Sequence, residues 1–232
     1  MVMLKLENAI IANGPFRLSA NIEVAPRRKV AVIGPSGAGK STLIEGIAGF
    51  LPFDGGHVLW QGRDITRDAP GKRPVAMLFQ DGNLFPHLNL AQNVGLGLRP
   101  DLRLSSQDHA KVKAALARVG LDGMDTRKPA DLSGGQRSRA ALARVLVQRR
   151  DILLLDEPFA ALGPALRAEM LDLVVALTNE TGATLLMVSH APEDARRIAD
   201  QAILVAEGRA EPPVDAVQLL DNPPPALRAY LG

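Results

Sequence analysis

Five short runs of almost uninterrupted apolar residues constrain this chain more than any other feature: residues 30–33 (Val-Ala-Val-Ile), 75–79 (Val-Ala-Met-Leu-Phe), 152–155 (Ile-Leu-Leu-Leu), 184–188 (Thr-Leu-Leu-Met-Val) and 202–205 (Ala-Ile-Leu-Val). Runs this short, with no polar residue at every second position, predict strands covered on both faces, as in a mainly parallel sheet sandwiched by helices. Residues 16–24 read differently. Phe16, Leu18, Ala20, Ile22 and Val24 alternate with Arg17, Ser19, Asn21 and Glu23, which predicts a strand with one solvated face and with residues 3–10 and 57–61 as partners. The fold class expected is α/β, a mainly parallel core sheet with an N-terminal antiparallel β-subdomain.

Between the second and third runs, over about 83–150, helical signals predominate, with helix-like patterning at 107–119 and 136–148. This segment is expected to be a helical subdomain inserted into the sheet core. A chain of 232 residues suits one such domain rather than two independent ones. The tail, about 209–232, carries Pro212, Pro213 and Pro223 to Pro225, too much proline in too little chain for a further globular domain.

Composition excludes several classes of function. With 47% hydrophobic and 22% charged residues the chain reads as a folded soluble protein, and its aliphatic runs are far shorter than the roughly 20 residues a membrane helix needs. The N-terminus lacks a basic segment followed by an apolar core, so no secretory signal and a cytoplasmic location are expected. The chain contains no cysteine, so disulfides, thiolate metal sites and cysteine nucleophiles are absent. His57, His87, His109 and His190 are scattered without metal-ligand spacing. A formal charge of +2 without a long basic block is a weak footprint for a nucleic-acid binder, and no such partner is expected. The basic residues at 149–150 read as a solvated helix end.

Two motifs carry chemistry. Gly34-Pro35-Ser36-Gly37-Ala38-Gly39-Lys40-Ser41-Thr42 fits G-x-x-x-x-G-K-[ST] and lies between the apolar run at 30–33 and a helical stretch from Ser41 to about Ala48. In that context the glycines let backbone N–H groups turn toward phosphate oxygens. The helix N-terminus adds positive potential, Lys40 neutralises the β and γ phosphates of a nucleotide, and Ser41 offers a hydroxyl to Mg2+. The second motif is Asp156-Glu157 at the end of the run 152–155, the carboxyl edge where ligands bind in open α/β sheets. Asp156 is suited to hold Mg2+, directly or through water, and Glu157 to orient or deprotonate the attacking water.

Leu132-Ser133-Gly134-Gly135-Gln136, standing before a helical segment and upstream of the acidic strand, resembles the signature of the ATP-binding-cassette ATPases, a branch of the P-loop NTPases. The resemblance spans about residues 3–208. It implies that Ser133, Gly134, Gly135 and Gln136 form a second phosphate-binding helix N-terminus, so that ATP is buried between the phosphate loop of one copy and the signature of another in a head-to-tail homodimer. It also implies that Gln80 is the loop glutamine that senses Mg2+ and the γ-phosphate and couples to membrane subunits. His190 is then the switch histidine that contacts the γ-phosphate and supports Glu157. The stretches 73–88 and 91–98 are similar to ATP-binding subunits of bacterial thiamine importers. Such a subunit is peripheral on the cytoplasmic face of the inner membrane, with two integral-membrane permeases and, indirectly, a periplasmic binding protein as partners.

Three positions depart from the family pattern. Asn13 stands where many members place an adenine-stacking aromatic, leaving Phe16 as the nearest ring; Ala160 and Gly163 replace the Ser and Asp of Ser-Ala-Leu-Asp after Glu157. Retained hydrolysis with weak coupling between two sites is expected. Import of another small solute (molybdate, iron or polyamine) and a weakly hydrolysing soluble regulatory switch are the alternative functions.

Overall fold

In the computed structural model, which describes residues 3–80 and 84–231, the five apolar runs lie side by side. Chain order is β1 (Leu4–Asn13), β2 (Phe16–Val24), β3 (Lys29–Ile33), α1 (Lys40–Ala48), β4 (Phe53–Trp60), β5 (Arg63–Asp64), β6 (Val75–Leu78), α2 (Leu90–Gly95), α3 (Ser106–Arg118), α4 (Gly134–Leu146), β7 (Ile152–Asp156), α5 (Pro164–Thr181), β8 (Thr184–Val188), α6 (Pro192–Ile198), β9 (Gln201–Ala206), β10 (Arg209–Ala210), β11 (Val214–Asp215), α7 (Ala216–Asp221) and α8 (Pro225–Leu231). Strands β6, β7, β8, β3 and β9 pair in parallel in that spatial order.

The burial pattern explains why these strands had to be apolar throughout. Val30 and Val32, Ile152 and Leu154, Leu186 and Val188, and Ile203 and Val205 point into one core that also holds Leu43, Ile44 and Ile47 of α1. Their neighbours in sequence face the other way. Leu153, Leu155, Leu185 and Met187 meet Met170, Leu171 and Val174 of α5, while Ala31, Ile33, Ala202 and Leu204 meet α6, α7 and α8 through Ala195, Ala216 and Leu227. Each fully buried aliphatic side chain contributes roughly 1.5–3 kcal/mol over its exposed state, so a polar residue on either face would forfeit that much and add a desolvation penalty.

Strand β2 keeps the one-sided pattern expected of it, with Leu18, Ala20, Ile22 and Val24 buried and Arg17, Ser19, Asn21 and Glu23 exposed. It pairs antiparallel with β1, and β1 pairs antiparallel with β4. The short β10, within the proline-rich tail, runs parallel to β2 and antiparallel to β9, joining the antiparallel strands to the parallel core. The tail is therefore part of the core layer: Leu220 and Leu227 are 6% and 0% exposed.

Helices α2, α3 and α4 lie between β6 and β7 in sequence and share a separate apolar cluster, including Leu90, Val94, Val112, Leu116, Ala140 and Ala143. Each has a reciprocal side-chain cap, from Asn89 with Gln92, Ser105 with Asp108, and Ser133 with Gln136. Helix α5 carries no clear helical period in its sequence. It buries one stripe, Met170, Leu171, Val174 and Leu177, against the sheet, and near its start it reaches α4, where a side chain at Gly135 would approach Leu166 to 2.5 Å. Arg73 is 2% exposed and donates to the carbonyls of Gly46, Ile47, Thr66 and Asp68 at 2.8–3.0 Å, tying the end of α1 to the turn before β6. Among the described residues no helix is long and apolar enough to cross a membrane.

Candidate functional site

The carboxyl ends of β3, β7 and β8 meet at one edge of the sheet, and most of the motif residues collect there. After β3 the chain turns through residues 34–39. Gly34 has φ 146°, and a Cβ at this position would lie 2.0 Å from the carbonyl oxygen of Val205, so the loop passes β9 only with glycine here. Gly39, the N-cap of α1, brings no side-chain acceptor to the helix amides, which leaves the positive end of the helix open to an anion. Lys40 is 5% exposed, and its Nζ donates to the carbonyls of Gly34 at 2.9 Å and Pro35 at 2.8 Å. The ammonium is thereby held over the loop. Burial lowers its pKa, while the negative charges of Glu157 and Asp156 act in the opposite direction. Ala38 packs against the main core, whereas Ser36, Gly37, Gly39, Ser41 and Thr42 line an open groove of about 440 Å³.

The acidic pair approaches the same place from β7. Asp156 is 7% exposed, and Ser41 Oγ donates to its Oδ1 at 3.1 Å. Burial raises the pKa of Asp156, the Ser41 hydrogen bond opposes that, and the charge of Glu157 adds to it. Two hard oxygen donors thus meet at the first turn of the phosphate-loop helix, a donor set that fits Mg2+ held by few protein ligands and completed by phosphates and water. Glu157 adopts φ 46°, a left-handed conformation unfavourable for a side-chain-bearing residue. The turn throws its carboxylate across the sheet edge, where Oε1 pairs with Nε2 of His190 from the loop after β8. Glu157 and His190 both line the groove that holds Lys40.

Other expected site residues lie elsewhere. Gln80 follows β6 and lines a neighbouring groove of about 420 Å³ with Gly134, Arg137, Pro158 and Leu162. Ser133 to Gln136 form the N-terminus of α4, with Ser133 Oγ accepting from the Gln136 amide at 3.2 Å and Gln136 Oε1 accepting from the Ser133 amide at 2.9 Å. None of the four lines the groove around Lys40. One copy of the chain therefore carries the loop and the signature as two separate surfaces. Residues 81–83, within the stretch 73–88 that is similar to thiamine-importer subunits, lie outside the described residues.

Contacts at the groove's rim depended on strand pairing that no sequence motif marks. Asn13 and Phe16, at the two ends of the β1–β2 turn, both line the groove; Asn13 Nδ2 donates to Thr42 Oγ1 at 3.4 Å, and Phe16 lies against Gly39. Gly163 is the N-cap of α5 with no side-chain cap, in an extended conformation with open space where a Cβ would be.

A family model described as ABC transporter matches residues 18–160, from β2 through the loop after Glu157. The chain belongs to the ABC transporter family. It is the nucleotide-binding, ATP-hydrolysing cassette of that family, as the phosphate loop, the signature and the acidic pair in this order indicate. Among its relatives, the thiamine import ATP-binding protein ThiQ of Ruegeria sp. (strain TM1040) is 66% identical over 230 residues, covering 99% of this chain and 100% of the relative. The protein of the same name from Cereibacter sphaeroides is 59% identical over 230 residues, with 99% and 100% covered. The ABC fold is also seen in the ADP conformation of MJ1267, an ATP-binding cassette of an ABC transporter, at TM-score 0.89 and 25% identity, covering 100% of this chain and 99% of that one.

Proposed function

We propose that this ABC ATPase is the motor subunit of a bacterial thiamine importer, working as a homodimer on two integral-membrane permeases at the cytoplasmic face of the inner membrane. The observation that carries the ATPase part of this reading is the convergence on one groove of Lys40, the Ser41–Asp156 hydrogen bond and the Glu157–His190 pair. The solute is supported by the 66% and 59% identity, over nearly the whole chain, to proteins named for thiamine import. A periplasmic binding protein would deliver thiamine to the permeases.

In this reading Lys40 and the loop residues 34–39 bind the phosphates, with Ser41 and Asp156 holding Mg2+. The metal, when bound, offsets negative charge on the phosphate oxygens. Glu157 orients and deprotonates the water that attacks the γ-phosphate, and His190 holds Glu157 in place and contacts the γ-phosphate. Gln80 reads the metal and phosphate from the adjacent groove and passes their state to the permeases. Ser133, Gly134, Gly135 and Gln136 close the site of a second copy, which accounts for their distance from Lys40 in one chain. Phe50, 51% exposed, packs on the ring of Phe79, the residue before Gln80, with centroids 5.4 Å apart, and offers the permeases an apolar contact there.

The test is uptake of labelled thiamine by proteoliposomes carrying this chain, its permeases and their binding protein. ATP-dependent uptake is expected with wild type and none above background with Glu157→Gln. Equal uptake by the two would overturn the motor assignment, whereas uptake of molybdate, iron or a polyamine in place of thiamine would overturn the solute.

A further inference from the structure

Behind the Glu157–His190 pair lies a second cavity of about 290 Å³, lined by Glu157, Phe159, Arg167, Ser189, His190 and Asp194 among others. Its charged wall is a clamp joining three elements. Ser189, 3% exposed, donates from Oγ to Asp194 Oδ2 at 2.6 Å and accepts from the amide of Ala191 at 3.1 Å. Arg167, from the first turn of α5, donates from Nε to the same Asp194 oxygen at 3.0 Å and from Nη2 to Ser189 Oγ at 3.3 Å; Nη2 also pairs with Asp194. Asp194 is 7% exposed and sits on the first turn of α6. The clamp therefore closes around the backbone on both sides of His190.

Its other end begins at Gly163. The Arg167 amide donates to the Gly163 carbonyl at 2.9 Å, so the guanidinium that grips the His190 loop hangs from the helix that starts where the loop after Glu157 ends. We propose that Arg167, Asp194 and Ser189 form a positioning device for His190: the clamp fixes the reach of the imidazole to Glu157 and makes it depend on the conformation of residues 157–163. The inference rests on the role proposed above for His190. The geometry supports a specific device rather than general adhesion between helices. α5 and α6 are already joined by Arg197 and Asp172, at 2.6–2.7 Å, an exposed pair of the kind that contributes little to stability. Asp194 by contrast is buried, and its one oxygen receives the Ser189 hydroxyl and the guanidinium together, which is an arrangement that fixes direction.

Asp194→Asn in the full chain should lower kcat for ATP hydrolysis roughly tenfold, the equivalent of one charge-assisted hydrogen bond, with KM for ATP changed less than about twofold. Arg167→Lys, which keeps the charge but not the fork, should do the same, and stands in if Asp194→Asn does not fold. In a His190→Ala background neither change should lower kcat further, because the clamp acts only through the imidazole. Asp172→Asn, which cuts the exposed link between the same helices, should leave kcat unchanged. Wild-type kcat in both clamp variants, or losses that multiply with that of His190→Ala, would overturn the proposal while leaving the role of His190 intact. A wild-type rate in His190→Ala would remove the histidine's role, and the clamp's with it.

Discussion

At the scale of single residues, the active edge concentrates desolvation in Lys40 and Asp156 and backbone strain in Glu157. Lys40 and Asp156 are buried at 5% and 7% exposure, which lowers the ammonium pKa and raises the carboxylate pKa, and each has polar contacts: two loop carbonyls for the ammonium, the Ser41 hydroxyl for the carboxylate. Glu157 stores backbone strain at φ 46°. Strain of this kind persists when the surrounding structure demands it, here because the carboxylate must leave β7 and turn toward His190. The strain makes a testable difference. Glu157→Ala and Glu157→Gly both remove the carboxylate and should both lose hydrolysis, but glycine accepts the left-handed conformation. Glu157→Gly is therefore expected to be about 1 kcal/mol more stable than Glu157→Ala by urea denaturation, and equal midpoints would show that this turn relaxes freely.

At the scale of elements, helix ends decide which surfaces can take a ligand. Helix α1 begins at Gly39 and helix α4 at Ser133, so both point a positive end at a prospective phosphate. Helix α5 begins at Gly163, uncapped by a side chain, in an extended conformation that suits an N-cap and with room for one. Gly163→Asp should stabilise the fold by a few tenths to about 1 kcal/mol by capping α5, read as a raised unfolding midpoint; an unchanged or lowered midpoint would contradict that cap. At the start of α3, hydrogen bonds from the Ser105 amide and hydroxyl, with Arg99 beside them, lower the pKa of Asp108 from 3.8 to about 2. A depressed carboxylate pKa stabilises the fold fully above its unfolded value and loses that contribution as pH falls through the folded value. The stability gap between wild type and Asp108→Asn should therefore be largest above about pH 5 and shrink between pH 4 and 2, measured by thermal unfolding across that range. A gap that does not change with pH would remove the charge from the explanation.

At the scale of the whole molecule, the phosphate loop and the signature occupy different surfaces of one chain, so assembly is expected to depend on nucleotide. On the proposed head-to-tail homodimer, Glu157→Gln at saturating Mg-ATP should shift from monomer toward dimer in sedimentation, because hydrolysis would no longer reopen the sandwich, and adding Lys40→Ala should abolish the shift. A Glu157→Gln chain that stays monomeric in that sedimentation experiment would count against the sandwich. The same scale shows why the tail matters: β10 bridges β2 and β9, and α7 and α8 cover the face of β3 and β9 that α1 does not.

Much of this was legible in the sequence because the relevant constraints are local. The apolar runs became β3, β6, β7, β8 and β9 since a strand buried on both faces has no alternative composition, and the spacing of Gly34, Lys40 and Ser41 follows from how a loop must turn to begin a helix at a phosphate. Helix α5 was invisible because Ala165, Ala168 and Ala176 lie off its buried stripe of Met170, Leu171, Val174 and Leu177 and blur the apolar period, and the tail's β10 is only Arg209 and Ala210. What the tertiary structure alone decided are contacts between residues distant in the chain: Ser41 with Asp156, Glu157 with His190, and Arg167 with Ser189 and Asp194. These depend on parallel pairing that places the ends of β3, β7 and β8 side by side, and a local pattern of residue types carries no record of which strand will be its neighbour.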